Sequence, residues 1–149
     1  GVLPCLTAFI PMLMDTGGNS GSQACVSIIR GISLNEIEFR DLGRVVWKEI
    51  RVSVLCGVCL AIACFAKIIV VDMLLLKSES VTYLVAFVVC ATMAVTVCLA
   101  KIVGSTLPLL AKKLGFDPAV MASPIITTIV DFLSLLVYFA FATAMLGIG

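Results

Sequence analysis

Residues Asp117 to Phe139 read DPAVMASPIITTIVDFLSLLVYF, and this stretch decides what kind of chain this is. From Pro118 to the C-terminus there is one charge, Asp131, in a run long enough to cross a bilayer, which takes ~20 apolar residues. Asp131 lies 13 positions past Pro118, or ~20 Å along a helix, and 18 positions from the end. At that depth an aspartate costs roughly 2.5 to 3.5 kcal/mol on insertion scales, so it needs a polar surrounding or a functional reason. The polar residues of this span are Ser123, Thr127, Asp131, Ser134 and Tyr138, spaced 4, 4, 3 and 4, which makes one narrow stripe on a helix. Asp117 and Pro118 read as N-cap and first helical residue of the span. Pro124 is expected to loosen the helix ahead of Asp131, because it removes a backbone donor and crowds the carbonyl of Val120.

Two more runs upstream are long enough to cross, Val52 to Val71 and Val81 to Ala100. The first apolar stretch, Val2 to Met14, has only 13 residues, so it crosses only if the helix continues through the Gly-rich, uncharged segment from Thr16 to Ile29. With that continuation the chain is an all-α, polytopic transmembrane bundle of four spans, forming one domain over residues 1–149. Composition agrees: 62% of the residues are apolar and 13% charged, too greasy for a soluble globule of 149 residues. The chain opens on Gly-Val without a basic stretch ahead of an apolar core, so it reads as an excised fragment rather than the start of a secreted protein.

Loop charge sets the expected orientation. Arg30, Arg40, Arg44, Lys48 and Arg51 fall in the first connection, Lys77 in the second, and Lys101, Lys112 and Lys113 in the third. The first and third are therefore expected on the cytoplasmic side of a cell membrane, with both ends of the chain outside. In the first connection Ser33 and Glu36 fit a capping box, and Phe39, Leu42, Val46 and Ile50 recur at spacings of 3 and 4. Glu36, Arg40, Arg44 and Lys48 occupy the opposite face. That pattern is an amphipathic helix at the membrane surface with Trp47 at headgroup depth, or an ordinary solvated connector.

Several function classes fall away. No histidine is present, which removes imidazole metal sites and Ser-His or Cys-His catalysis. A net charge of +1 offers no field for nucleic acid. The seven cysteines all sit in apolar runs and read as small packing residues, the Cys56-x-x-Cys59 pair included. No phosphate-binding glycine loop appears. An intramembrane aspartyl protease needs two carboxylates in one site, and Asp15 is the single conceivable partner of Asp131; a purely structural anchor would leave Asp131 dispensable.

The first span holds the second anomaly, Asp15-Thr16-Gly17-Gly18-Asn19-Ser20-Gly21-Ser22-Gln23-Ala24. Gly17 and Gly21 form a G-x-x-x-G that lets helix backbones approach, and Gly18 bares its carbonyl. Asn19, Ser22 and Gln23 add side-chain oxygens and amides over the same two turns. Together with the Asp131 stripe these make a path lined by hard oxygen ligands, which suit a hard cation. On the two-fold axis of a homodimer, two copies of Asp131 would match a divalent ion. Neutral oxygens around a hydrated ion suit magnesium, which sheds water reluctantly.

PMLMDTGGNSGSQACVSIIRG in the first span, the basic connector after it, and DPAVMASPIITTIVDFLSLLVYF in the last resemble the transmembrane domain of the MgtE magnesium channels and transporters, over nearly all of the chain. The resemblance implies a five-helix membrane domain per subunit, of which these spans are the second to fifth helices, and a homodimer with a central cation pore. It also implies that Asp131 is the pore aspartate, that Gly18 and Thr127 contribute backbone groups beside a hydrated Mg2+, and that Mg2+ is both the transported ion and a pore ligand. Where the family pattern reads GGNxGNQ this chain has Ser22, and Ser123 replaces an asparagine before the proline. Both amides become shorter hydroxyls, which bears on selectivity among divalent cations. The metal-binding set is then Asp131, Gly18, Thr127, Ser22, Ser123 and Asn19.

The function expected is magnesium or divalent cation transport through a channel-like pore, and the chain is not an enzyme. The membrane potential supplies about 2.3 kcal/mol per charge per 100 mV, or ~4.6 for a divalent ion, so no nucleotide is needed. The alternative is a secondary transporter exchanging a divalent cation for protons or sodium, with Asp131 titrating in the cycle.

Overall fold

A computed structural model of the chain describes residues 2–77, 81–122 and 124–147. Among the described residues the chain is helical without strands: α1 (Val2–Ser33), α2 (Leu42–Lys67), α3 (Tyr83–Lys113) and α4 (Pro124–Leu146). Short 3-10 turns at Phe39–Asp41 and Pro118–Met121 precede α2 and α4, and α2 runs on into a π-helical stretch, Ile68–Leu75. The segments Phe39–Leu75, Tyr83–Lys113 and Pro118–Leu146 are each long and apolar enough to cross a membrane.

Helix α1 does continue through the Gly-rich segment, as one unbroken helix of 32 residues. Its glycines explain why, since each faces a neighbouring helix. A Cβ on Gly17 would fall 2.7 Å from Thr96 Cγ2 and 3.0 Å from Ser134 Oγ; one on Gly21 would fall 3.1 Å from the Ala100 carbonyl. From the other side, a Cβ on Gly104 would land on the Gly21 carbonyl. The backbones of α1 and α3 therefore touch, as small residues allow where lipid supplies no hydrophobic force between helices.

Helix α3 packs against α1, α2 and α4, and α1 and α4 pack against each other. Apolar clusters follow one another along the bundle. Leu13, Val85, Val89 and Met93 belong to the first, Cys25, Ala100, Ile126 and Val130 to the second, and Ile28, Ile32, Val45 and Leu109 to the third. Lys113 Nζ stands 4.1 Å from the centre of the Phe39 ring, so the first and third connections meet at one end. At the other end Lys67 Nζ stands 5.3 Å from the Phe9 ring and binds Asp72 Oδ2 at 2.8 Å; the wide π turn brings that carboxylate back under it from five residues on.

Five expectations are corrected. Asp117 is an N-cap and Pro118 the first helical residue as expected, but of a 3-10 turn, and the last α-helix does not begin there. Asp117 Oδ1 accepts from the Ala119 N–H at 2.9 Å and caps a 3-10 turn, Ala122 is extended (ψ 143°), and α4 starts afresh at Pro124. Pro124 is thus a first helical residue, where its missing N–H breaks no bond, not a kink in mid-helix. The capping box is not at Ser33, which ends α1 and donates to the Ile29 carbonyl; Asp41 instead accepts from the Glu38 N–H at 3.0 Å. The amphipathic run it starts is the first turns of α2, continuous with the span, because nothing after Leu42 breaks the helix. Lys101 is no loop residue either: α3 extends past it to Lys113, and Lys101 Nζ reaches Glu49 Oε2 of α2 at 3.7 Å with both side chains nearly buried.

The seven cysteines are free. Cys25, Cys64 and Cys90 are buried packing residues as expected, whereas Cys59 faces out of the bundle.

Candidate functional site

Two contacts set how α1 and α4 lie against each other. Tyr138, fully buried, donates its hydroxyl to the Leu6 carbonyl at 2.9 Å. Three turns toward the start of α4, a Cβ on Gly18 would meet Thr127 Cγ2 at 3.3 Å and Asp131 Oδ1 at 3.7 Å. The helices are therefore antiparallel, and the continued register puts Asp131 level with Met14 and Asp15.

There the two helices part to leave a cavity of about 150 Å3, open on one side, lined by Met14, Asp15, Gly18, Asn19, Thr127 and Asp131. Of the residues expected to hold metal, it brings together Asp131, Thr127, Gly18 and Asn19. Gly18 is buried because its missing side chain lets Thr127 and Asp131 close over the α1 backbone. Ser22, one turn on, is half-buried and does not border the cavity. Ser123 lies outside the described residues.

The polar stripe of α4 divides in two. Ser134 and Tyr138 turn into the bundle, where the Ser134 hydroxyl donates to the Val130 carbonyl at 2.6 Å and Tyr138 binds α1. Tyr138 ties α4 to α1, while the Ser134 bond closes within α4. Thr127 and Asp131 face the cavity; the Thr127 hydroxyl also donates to the Pro124 carbonyl at 3.1 Å. Thus a carbonyl at Pro124 does serve as an acceptor, though for the helix's own hydroxyls rather than for a ligand: Thr128 donates to it as well, at 2.8 Å.

Asp15 is the residue the reading of the sequence left without a place in the site. It stands in the same cavity as Asp131, on the facing helix. Its signal was position: Asp15, Gly18 and Asn19 recur at 3 and 4, one face of α1. Among the described residues neither carboxylate is in ion-pair range of a cation. Two acids and neutral oxygens at an open cavity form a donor set for a hard cation.

A family model described as MgtE, divalent cation transporter, matches residues 10–141. This chain belongs to the MgtE family. Relatives include proteins named magnesium transporter MgtE from Bacillus subtilis (34% identical over 141 residues, 95% of this chain and 30% of that protein) and Thermus thermophilus (34% over 148 residues, 97% and 31%). A third, of the same name, is from Enterococcus faecalis (31% over 138 residues, 93% and 29%). The MgtE-family chain thus spans about a third of the length of the relatives it matches. The matched residues contain the whole cavity, from Met14 to Asp131.

Proposed function

We propose that this chain is a pore domain, residues 1–149, which conducts hydrated Mg2+ across the cell membrane past Asp131, and that two copies form a channel-like pore about a common axis. The observation that carries the reading is the open cavity in which the Asp131 carboxylate of α4 meets the bare backbone of Gly18 on α1. Its volume has room for an ion with several of its waters. Magnesium keeps most of its hydration shell, so carboxylate and neutral oxygens contacting bound water fit it better than a dedicated protein cage. The relatives named as magnesium transporters favour Mg2+ as the cargo.

The homodimer follows from cost. A polar cavity with two acids on the flank of a bundle this apolar is unfavourable against lipid tails, and a second copy facing it would turn two half-open cavities into one aqueous path. Helix α1, 32 residues or ~48 Å long, then crosses with the other three. The end where Phe39 meets Lys113 carries Arg40, Arg44, Lys48, Lys112 and Lys113, and this excess of basic residues supports a cytoplasmic position for it, with both ends of the chain outside.

The test is Mg2+ flux into liposomes holding the full protein, driven by an imposed potential and repeated over a panel of divalent cations. Asp131→Asn should abolish or strongly reduce flux in protein that still assembles. Parent-level flux in that variant would refute the pore.

A further inference from the structure

Across the cavity from Asp131 stands a second carboxylate, Asp15. We infer that Asp15 is a second cation-holding residue, so that each protomer brings a pair of carboxylates to the path of a divalent ion. This rests on the pore reading above and adds to it the residue that sets divalent over monovalent preference.

The geometry has three parts. The Tyr138 to Leu6 hydrogen bond and the Gly18 to Thr127 contact fix the antiparallel register, and that register brings Asp15 and Asp131 to one level on facing helices. Both border the same 150 Å3 cavity, with Gly18, Asn19 and Thr127 between and beside them. Neither has an ion-pair partner among the described residues, although like charges repel across so small a space. An uncompensated carboxylate pair in a membrane-spanning bundle is costly unless a cation or water occupies the gap, and acidic side chains ringing a pathway are a general means of selecting cations.

Burial separates the two carboxylates' roles. Asp131 is half-buried between α4 and the Gly18 backbone, whereas Asp15 is exposed on the flank of α1. Asp131 therefore holds the ion beside the bare backbone of Gly18, and Asp15 acts through the ion's water shell. A single charge ~6 Å from a divalent ion in water-like surroundings changes its binding about tenfold, and that of a monovalent ion about threefold. Loss of Asp15 thus weakens Mg2+ more than Na+.

The experiment is liposome flux with Asp15→Asn, Asp15→Glu and Asp131→Asn in the full protein, measuring the Mg2+ concentration for half-maximal flux and its inhibition by Na+. Asp15→Asn should raise that concentration about tenfold and make Na+ a better competitor, while Asp15→Glu returns both toward the parent. Thermal unfolding in detergent gives a second readout: the stabilisation by added Mg2+ should shift to about tenfold higher Mg2+ in Asp15→Asn. Because Asp15 is exposed, Asp15→Ala is a second variant should the amide impair assembly, and the same shifts are required of it. Parent-like half-saturation and Na+ competition in Asp15→Asn, with flux lost in Asp131→Asn, would overturn the role of Asp15 and leave the pore standing. Parent-like behaviour in both variants would remove the pore reading and this inference with it.

Discussion

The Tyr138 hydroxyl and the Leu6 carbonyl, 132 positions apart in the chain, lie 2.9 Å from each other in the buried seam between α4 and α1. This bond sits two turns beyond Asp131 on α4 and fixes which residues of α1 that carboxylate meets. Tyr138→Phe keeps the ring and its packing but removes the donor. It should cost about 1 kcal/mol, seen as a lower unfolding temperature in detergent, with Mg2+ flux retained at saturating concentration. Unchanged stability would show that ring packing alone sets the register.

Glycines of one motif should separate by phenotype. Gly18→Val places branched carbons against Thr127 and Asp131, inside the cavity, so the protein should assemble and not conduct. Gly17 and Gly21 face α3 and α4 away from the cavity, where an added Cβ would fall 2.7 to 3.1 Å from its nearest neighbours. Gly17→Val or Gly21→Val should therefore lower the yield of folded protein before any flux can be measured. Size-exclusion profiles with flux on the same preparations distinguish the two classes. Normal flux through Gly18→Val would take α1 out of the pathway.

Gly104→Ala is the sharpest packing test, since the new methyl would collide with the Gly21 carbonyl, a backbone atom that no rotamer change can move aside. A loss of a few kcal/mol is expected, in the range of overpacked cores. A melting temperature equal to the parent's would mean that α1 and α3 separate more readily than their contact suggests.

Glu49 and Lys101 join α2 to α3 at 3.7 Å with 11% and 13% of their side chains exposed. Lys101→Met leaves the acid buried without a partner and should cost roughly 3 kcal/mol. Adding Glu49→Gln should recover most of that loss, because desolvation of the lone charge, not the missing attraction, is the larger part. Equal instability of the single and double variants in thermal unfolding would contradict a charge-pair origin.

Pro124→Ala should change stability by less than about 1 kcal/mol, as expected for a first helical residue whose N–H has no intrahelical acceptor. A large gain in helix stability would instead indicate that the proline breaks a helix that otherwise runs from Asp117.

Much of the fold is legible in the chain because hydropathy and length answer to lipid alone. Asp131 stands out in the same way, as a charge where every neighbour is apolar. Helix ends are harder to read. Lys101 looks like a loop residue until Glu49 is beside it, and Asp117-Pro118 looks like the start of a long helix until Pro124 proves to begin its own. Each turns on a partner distant in sequence or on two local signals in competition.

The linear order of residues was enough to establish a helical membrane bundle, the continuation of its first helix through glycine, and the carboxylate at 131, since these depend on periodicity and on the cost of charge in hydrocarbon. Packing alone could decide that Ser134 and Tyr138 are buried in the bundle while Thr127 and Asp131 line a cavity, and that Asp15 shares it. Residues on one stripe of a helix differ by tens of degrees in direction, and which of them meets a neighbour or a gap depends on the register of two helices more than a hundred residues apart, here set by one hydroxyl and one missing side chain.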